Sequence, residues 1–177
     1  RLRDAPPPLA RIDAIDVETT APQGDTTFAI RHSDDATTTS ARTLVSPDIA
    51  ICADCLRELF DPSDRRYLHP FITCTNCGPR YTVITDLPYD RPATTMADFA
   101  MCQACADEYA DPADRRYHAQ TIACPHCGPT LSWYGPGGGP PVAAAAAALS
   151  GGSIVAIKGI GGYHLACRAD DDAAVAT

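Results

Sequence analysis

Cys52-Ala53-Asp54-Cys55, followed eighteen residues later by Cys74-Thr75-Asn76-Cys77, recurs fifty residues further on as Cys102-Gln103-Ala104-Cys105 and Cys124-Pro125-His126-Cys127. Eight of the nine cysteines fall in these four C-x2-C pairs, and only Cys167 stands apart. A disulfide framework needs no such regularity. The spacing C-x2-C-x18-C-x2-C instead brings two thiolate pairs around one tetrahedral zinc. Two zinc sites are therefore expected, Cys52, Cys55, Cys74 and Cys77 holding one ion and Cys102, Cys105, Cys124 and Cys127 the other. An interleaved cross-brace joining the first pairs of both units is the alternative arrangement.

The repeat extends beyond the cysteines. Asp61-Pro62-Ser63-Asp64-Arg65-Arg66-Tyr67 falls on Asp111-Pro112-Ala113-Asp114-Arg115-Arg116-Tyr117, and Cys77-Gly78-Pro79 on Cys127-Gly128-Pro129. One structural unit has been used twice. In each unit a short helix follows the first cysteine pair, carrying Leu56, Leu59 and Phe60 or Ala106 and Tyr109, and Asp-Pro halts it. Tyr67 to Thr73 reads as one strand of a small ribbon and Tyr81 to Ile84 as its return. The glycine of each Cys-Gly-Pro is expected at positive φ, turning amides toward the sulfurs. His126 reads as a solvated loop residue, and His69 and His118, offset by one position in the repeat, as no pair of ligands. Arg65-Arg66 and Arg115-Arg116 are expected to pair locally with Asp61, Asp64, Asp111 and Asp114.

Composition bounds the remainder. The chain has 177 residues, 14 Lys+Arg against 22 Asp+Glu, and 28 glycines and prolines together with 7% aromatics. Such a balance points to several small cores and away from polyanion binding. The longest apolar stretch, Val142 to Leu149, is far short of the roughly 20 residues that cross a bilayer, so no membrane span is expected. With Arg1 first and no apolar leader segment, the sequence reads as a piece of a longer chain. Loose alternation at Ile12, Ala14, Ile15 and Val17, then Phe28 and Ile30 beyond a turn, predicts two strands. Ser33 to Ser40 reads as a linker, and so does Gly135 to Pro141. Val142 to Leu149 predicts a helix stopped by Gly151-Gly152. Ser153 to Ile157 predicts a buried strand, Lys158-Gly159-Ile160-Gly161-Gly162 a loop and Tyr163 to Cys167 a further strand. Asp170 to Asp172 is placed to cap a helix. By spacing alone the glycine loop is a turn, matching neither P-loop nor G-x-G-x-x-G. It does hold Lys158, the one lysine of the chain.

The tandem four-cysteine units, the run Asp86-Leu87-Pro88-Tyr89-Asp90-Arg91-Pro92-Ala93-Thr94-Thr95-Met96 between them, and Ile154 to Cys167 with its Lys158-Gly159-Ile160-Gly161-Gly162-Tyr163-His164 resemble the HypF carbamoyltransferase family of nickel-iron hydrogenase maturation. That resemblance implies a small zinc-stabilised α+β protein, with tandem four-cysteine zinc fingers flanked by partial α/β domains. It implies the end of an acylphosphatase-like domain at 1–33, a linker at 34–47, the zinc-finger region at 48–132 (48–97 and 98–132), a Gly/Pro linker at 133–142 and the start of a YrdC-like domain at 143–177. The parent enzyme is implied to take carbamoyl phosphate and ATP through carbamoyl adenylate and to carbamoylate the C-terminal cysteine of HypE, the source of the cyanide ligands of the hydrogenase iron. Lys158, Gly159, Gly161, Gly162 and His164 are then expected at its nucleotide site. No catalytic residue is expected within the segment, which by itself should be inert, and a cytoplasmic location is implied. The family commonly reads Cys-Asp-Ala where this chain has Cys167-Arg168-Ala169.

Two other classes share the cysteine spacing. A zinc-ribbon module for protein or nucleic acid is one, but residues 52–127 hold seven arginines and no lysine against eleven acidic residues, a poor footprint for phosphate. A thiol redox protein is the other. Paired C-x2-C motifs favour metal over exchange.

Overall fold

The computed structural model describes residues 45–160 and 162–177 and, before them, residues 4, 6, 9, 10, 12–22, 24 and 26. Helix α1 spans Ala53–Leu59 and α2 Gln103–Ala110, one in each unit. Both start at the first cysteine of a pair, and Cys52 caps α1 by accepting a hydrogen bond from the Cys55 amide at 3.5 Å. Each helix buries its second cysteine. Around Cys55 gather Ile72, Cys74 and Cys77 with Ile49 and Leu59 at the margin. Around Cys105 gather Ala119, Ile122 and Cys124 with Met101 and Tyr109. With so few large apolar side chains, neither cluster is an ordinary hydrophobic core, and the sulfurs sit at the centre of both.

The expected ribbon is absent. Residues 61–72 form successive tight turns, with amides of Asp64, Tyr67, His69 and Ile72 donating to carbonyls three residues back. Tyr81–Val83 is a 3-10 turn instead of a strand. Two carboxylates impose this: Asp61 accepts from the Ser63 amide and Asp64 from the Arg66 amide, and such side-chain bonds compete with ladder formation. The second unit repeats both bonds at Ala113 and Arg116. Leu68 and His118, equivalent in the repeat, both take φ of 53° and donate their amides to the last turn of their own helix, at Leu59 and Tyr109. What remains of pairing is isolated bridges, Ile49 with Gly78, Cys74 with Cys77 and Ile84 with Thr94.

Beyond the second unit, bends at Gly137 and Gly139, both at positive φ, lead into α3, Pro141–Ser150, which ends at Gly151 as its sequence predicts. β1, Val155–Gly159, and β2, Gly162–Ala166, form an antiparallel hairpin. The expected buried strand is mostly exposed, because only Val155 of β1 is covered. Helix α4, Asp172–Ala176, starts at Asp171, whose carboxylate accepts from the Ala173 and Ala174 amides. At the other end, residues 12–22 carry no strand, and Val17 is 84% exposed. A strand exists only as part of a ladder with a second one, and among the described residues no ladder includes 12–22. Phe28, Ile30, Ser33 to Ser40 and Gly161 lie outside the described residues. No helix among the described residues is long and apolar enough to cross a membrane.

Candidate metal centre

Cys52, Cys55, Cys74 and Cys77 converge on one point, and Cys102, Cys105, Cys124 and Cys127 on another, with the sulfurs of each set within 4.8 Å of one another. Pairing is thus between neighbouring C-x2-C motifs, and the interleaved cross-brace is not formed. Sulfur separations include 3.7 Å for Cys52–Cys74, 3.8 Å for Cys74–Cys77, 3.7 Å for Cys102–Cys124 and 3.6 Å for Cys105–Cys127. A disulfide would need about 2.05 Å. A tetrahedron with Zn–S bonds of about 2.3 Å has S···S edges of about 3.8 Å, so both sets fit a zinc ion, with four donors that close the coordination sphere. His126 is exposed, as its sequence context predicts.

Backbone amides do reach the sulfurs, but not through the glycines. Asn76 donates to Cys74 at 3.3 Å and Cys55 to Cys52 at 3.5 Å. Gly78, at φ 94°, gives its amide to the Ile49 carbonyl, while Gly128 has no positive φ and donates to the Cys124 carbonyl. The Cys74 thiol is pulled down to about 4, first by the hydrogen bond from the Cys55 thiol, with Asn76 assisting. The Cys55 thiol rises correspondingly.

The arginine pairs contradict the expected local ion pairs. The flanking aspartates are spent on the turn amides, and the arginines reach across to the other unit. Arg65 and Arg66 bind Glu108 of α2, and Arg115 and Arg116 bind Glu58 of α1. Arg65 also donates to Cys105 Sγ at 2.8 Å and Arg115 to Cys55 Sγ at 3.1 Å. The fully buried Arg66 gives its Nε–H to the Ala123 carbonyl at 2.8 Å, and Arg116 its own to the Thr73 carbonyl at 3.0 Å. Between the units Thr73 Oγ1 and Thr121 Oγ1 meet at 3.3 Å. Burial opposes ionisation of Glu58, yet hydrogen bonds and charge from Arg115 and Arg116 outweigh it and hold its carboxyl at about 2. Glu108 is lowered by Arg66 and Arg65 against the same opposition.

Neither glutamate stood out in the sequence. The available signal was that Glu58 and Glu108 fall on each other in the fifty-residue register, as the arginine pairs do. Arg91, in the run between the units, was equally silent. It is 8% exposed; its guanidinium donates to the carbonyls of Gln120 at 2.7 Å, Ile122 at 3.0 Å and Phe99 at 2.7 Å. The linking segment is thereby fixed onto the second unit.

The HypF finger profile matches residues 51–84 and 101–134. Over 99% of its length the chain is 54% identical to a protein of Synechocystis sp. named carbamoyltransferase HypF, and it spans 23% of that protein. It is likewise 54% identical to a carbamoyltransferase HypF of Rhizobium leguminosarum bv. viciae over 98% of its length, 22% of that relative. The crystal structure of a full-length HypF in its phosphate- and nucleotide-bound form matches over 99% of this chain and 23% of that one, at 51% identity and a TM-score of 0.86. The chain belongs to the HypF family. It spans under a quarter of the length of these HypF relatives, with the double finger at its centre.

The glycine segment is arranged differently from its expected loop. Lys158 and Gly159 belong to β1 and Gly162 to β2, so three of the residues expected in a loop are strand residues. The register pairs Lys158 with Tyr163 and Ile157 with His164. Successive strand residues alternate faces, so Lys158 and His164 lie on opposite faces of the hairpin. Lys158 Nζ rests 5.0 Å from the Tyr163 ring centroid. His164 instead lies over Gly159, where an added Cβ would meet the imidazole at 3.6 Å. The departing residue Arg168 forms an exposed pair with Asp170 at 2.8 Å.

Proposed function

We propose that this chain is a structural segment of an ATP-dependent carbamoyltransferase of hydrogenase maturation, and that its two fingers are zinc modules. In this reading the parent enzyme uses carbamoyl phosphate and ATP, passes through carbamoyl adenylate, and carbamoylates the C-terminal cysteine of HypE in the cytoplasm. The supporting observation is the double HypF finger inside a chain similar along nearly its whole length to proteins named carbamoyltransferase HypF. Cys52, Cys55, Cys74 and Cys77 would hold one zinc and Cys102, Cys105, Cys124 and Cys127 the other. Zinc there supplies cohesion, since four thiolates leave no open position for catalysis. All seven arginines of residues 52–127 are engaged within the protein: Arg57 by Asp54, Arg80 and Arg91 by carbonyls, and four across the units. That commitment disfavours a nucleic-acid-binding role for the fingers.

Around the hairpin, Lys158, Gly159, Gly161 and Gly162 would serve the nucleotide site of the intact enzyme, the lysine as a point charge for phosphate oxygens. His164, on the other face, would complete the same site from behind Gly159. The test uses the enzyme that contains this segment. Lys158→Ala is expected to reduce carbamoyl-phosphate-dependent ATP cleavage and carbamoylation of HypE at least tenfold while two zinc ions per chain are retained. Wild-type rates in Lys158→Ala would make the hairpin purely structural, and metal analysis giving fewer than two zinc ions would remove the finger assignment.

A further inference from the structure

The guanidinium groups that touch Cys55 and Cys105 each come from the opposite finger, through Arg115 at 3.1 Å and Arg65 at 2.8 Å. Their neighbours bind the carbonyl just before the third cysteine of the opposite finger. Arg66 takes the Ala123 carbonyl ahead of Cys124, and Arg116 takes the Thr73 carbonyl ahead of Cys74. Each arginine pair therefore contacts one ligand sulfur of the other site and the backbone carbonyl immediately ahead of a second ligand. The loops that carry these pairs, residues 61–72 and 111–122, run from the helix of their own first cysteine pair to their own second pair, so each loop is closed by its own cluster.

We propose that the two zinc sites are thermodynamically coupled, each finger's arginine pair acting as the outer partner of the other finger's metal–thiolate charge. The inference rests on zinc occupying both clusters. Zn2+ with four thiolates carries two negative charges, and the facing pair of arginines carries two positive ones; Glu108 or Glu58 fixes the forks in place. Closing the first cluster orders the 61–72 loop and presents Arg65 and Arg66 to the second. The second cluster, once loaded, does the same for the first through Arg115 and Arg116. Linkage makes the two effects equal in size. Outer-shell donors of this kind tune metal affinity by about ten- to a hundredfold.

The experiment follows metal loading of this reduced chain against a competing chelator, by native mass spectrometry and by NMR of the cadmium-substituted protein. Coupling predicts that the one-metal species stays well below its statistical half-share at the midpoint. It also predicts a crossed effect. Arg65→Gln, at a side chain one-third exposed and thus replaceable without a cavity, should weaken the Cys102/Cys105/Cys124/Cys127 site about tenfold and shift its cadmium signal. The cadmium signal of the Cys52/Cys55/Cys74/Cys77 site should stay in place. Arg115→Gln should give the mirror result, and Arg65→Lys should recover part of the loss because the charge returns. A statistical one-metal population, or an Arg65→Gln effect confined to its own finger, overturns the coupling and leaves the two-zinc reading intact. Fewer than two bound metals in the unsubstituted chain overturns that reading itself.

Discussion

Replacing Arg91 by Met isolates the part of the structure that ties the inter-finger run to the second finger. Methionine keeps an apolar stem of similar reach and removes the guanidinium, leaving the carbonyls of Gln120, Ile122 and Phe99 without their donors. Hydrogen bonds to a charged donor are worth about 1.5–3 kcal/mol each. Three of them would suggest a loss beyond about 5 kcal/mol, but neighbouring bonds do not add in full. A second correction has the same sign. Burial lowers the proton affinity of the guanidinium; removing it returns the desolvation cost of that charge. The backbone amide of residue 91 also keeps its bond to Gln120 Oε1 at 2.6 Å. The net expectation is a loss of about 3 kcal/mol, a large share of a stability of about 5–15 kcal/mol. Urea unfolding of the zinc-loaded chain at fixed free zinc measures it, since metal binding shifts apparent stability by mass action. Arg57→Met is the control: its pair with Asp54 is two-thirds exposed on the arginine side, and the expected change is within about 0.5 kcal/mol. A loss below about 1 kcal/mol for Arg91→Met would refute the claim that this side chain holds the run in place.

Gly78→Ala should cost about 2–4 kcal/mol in the same assay, because φ is 94° and the new Cβ would lie 2.1 Å from Thr73 Oγ1. Gly137→Ala, at φ 80° in open space, should cost about 1 kcal/mol or less, and equal losses at the two positions would contradict the steric argument. The Glu58 carboxyl, held at about 2 against an ordinary 4.5, should remain ionised through the range where ordinary glutamates titrate. A depressed folded value means that its contribution is complete above 4.5 and is lost as pH falls toward 2. A side-chain carboxyl NMR titration of Glu58 with a midpoint near 4.5 would show that Arg115 and Arg116 do not hold it.

The parts of this protein that were legible in sequence are those whose causes are local. C-x2-C spacing is fixed by the reach of two sulfurs to one ion, and α3 and α4 are bounded by Gly151 and Asp171 at their own ends. Tyr67 to Thr73 misled because its apolar and β-branched residues satisfy a strand pattern, while the decisive groups were Asp61 and Asp64, whose carboxylates bind the turn amides before any ladder can form. The arginine pairs misled for a different reason. A duplication places the same charges twice, so Glu58 could be served by Arg65-Arg66 of its own unit or by Arg115-Arg116, 57 and 58 residues away. Composition, spacing and periodicity are identical in both cases. What separates them is that each turn loop returns to its own helix through backbone alone, the Leu68 and His118 amides on Leu59 and Tyr109. The guanidinium groups of the loop are then free to face the neighbouring unit. Exchange of side chains between two copies of one unit is a property of their packing, and it makes the pair of fingers, and not the single finger, the smallest part in which the two arginine pairs meet their glutamates.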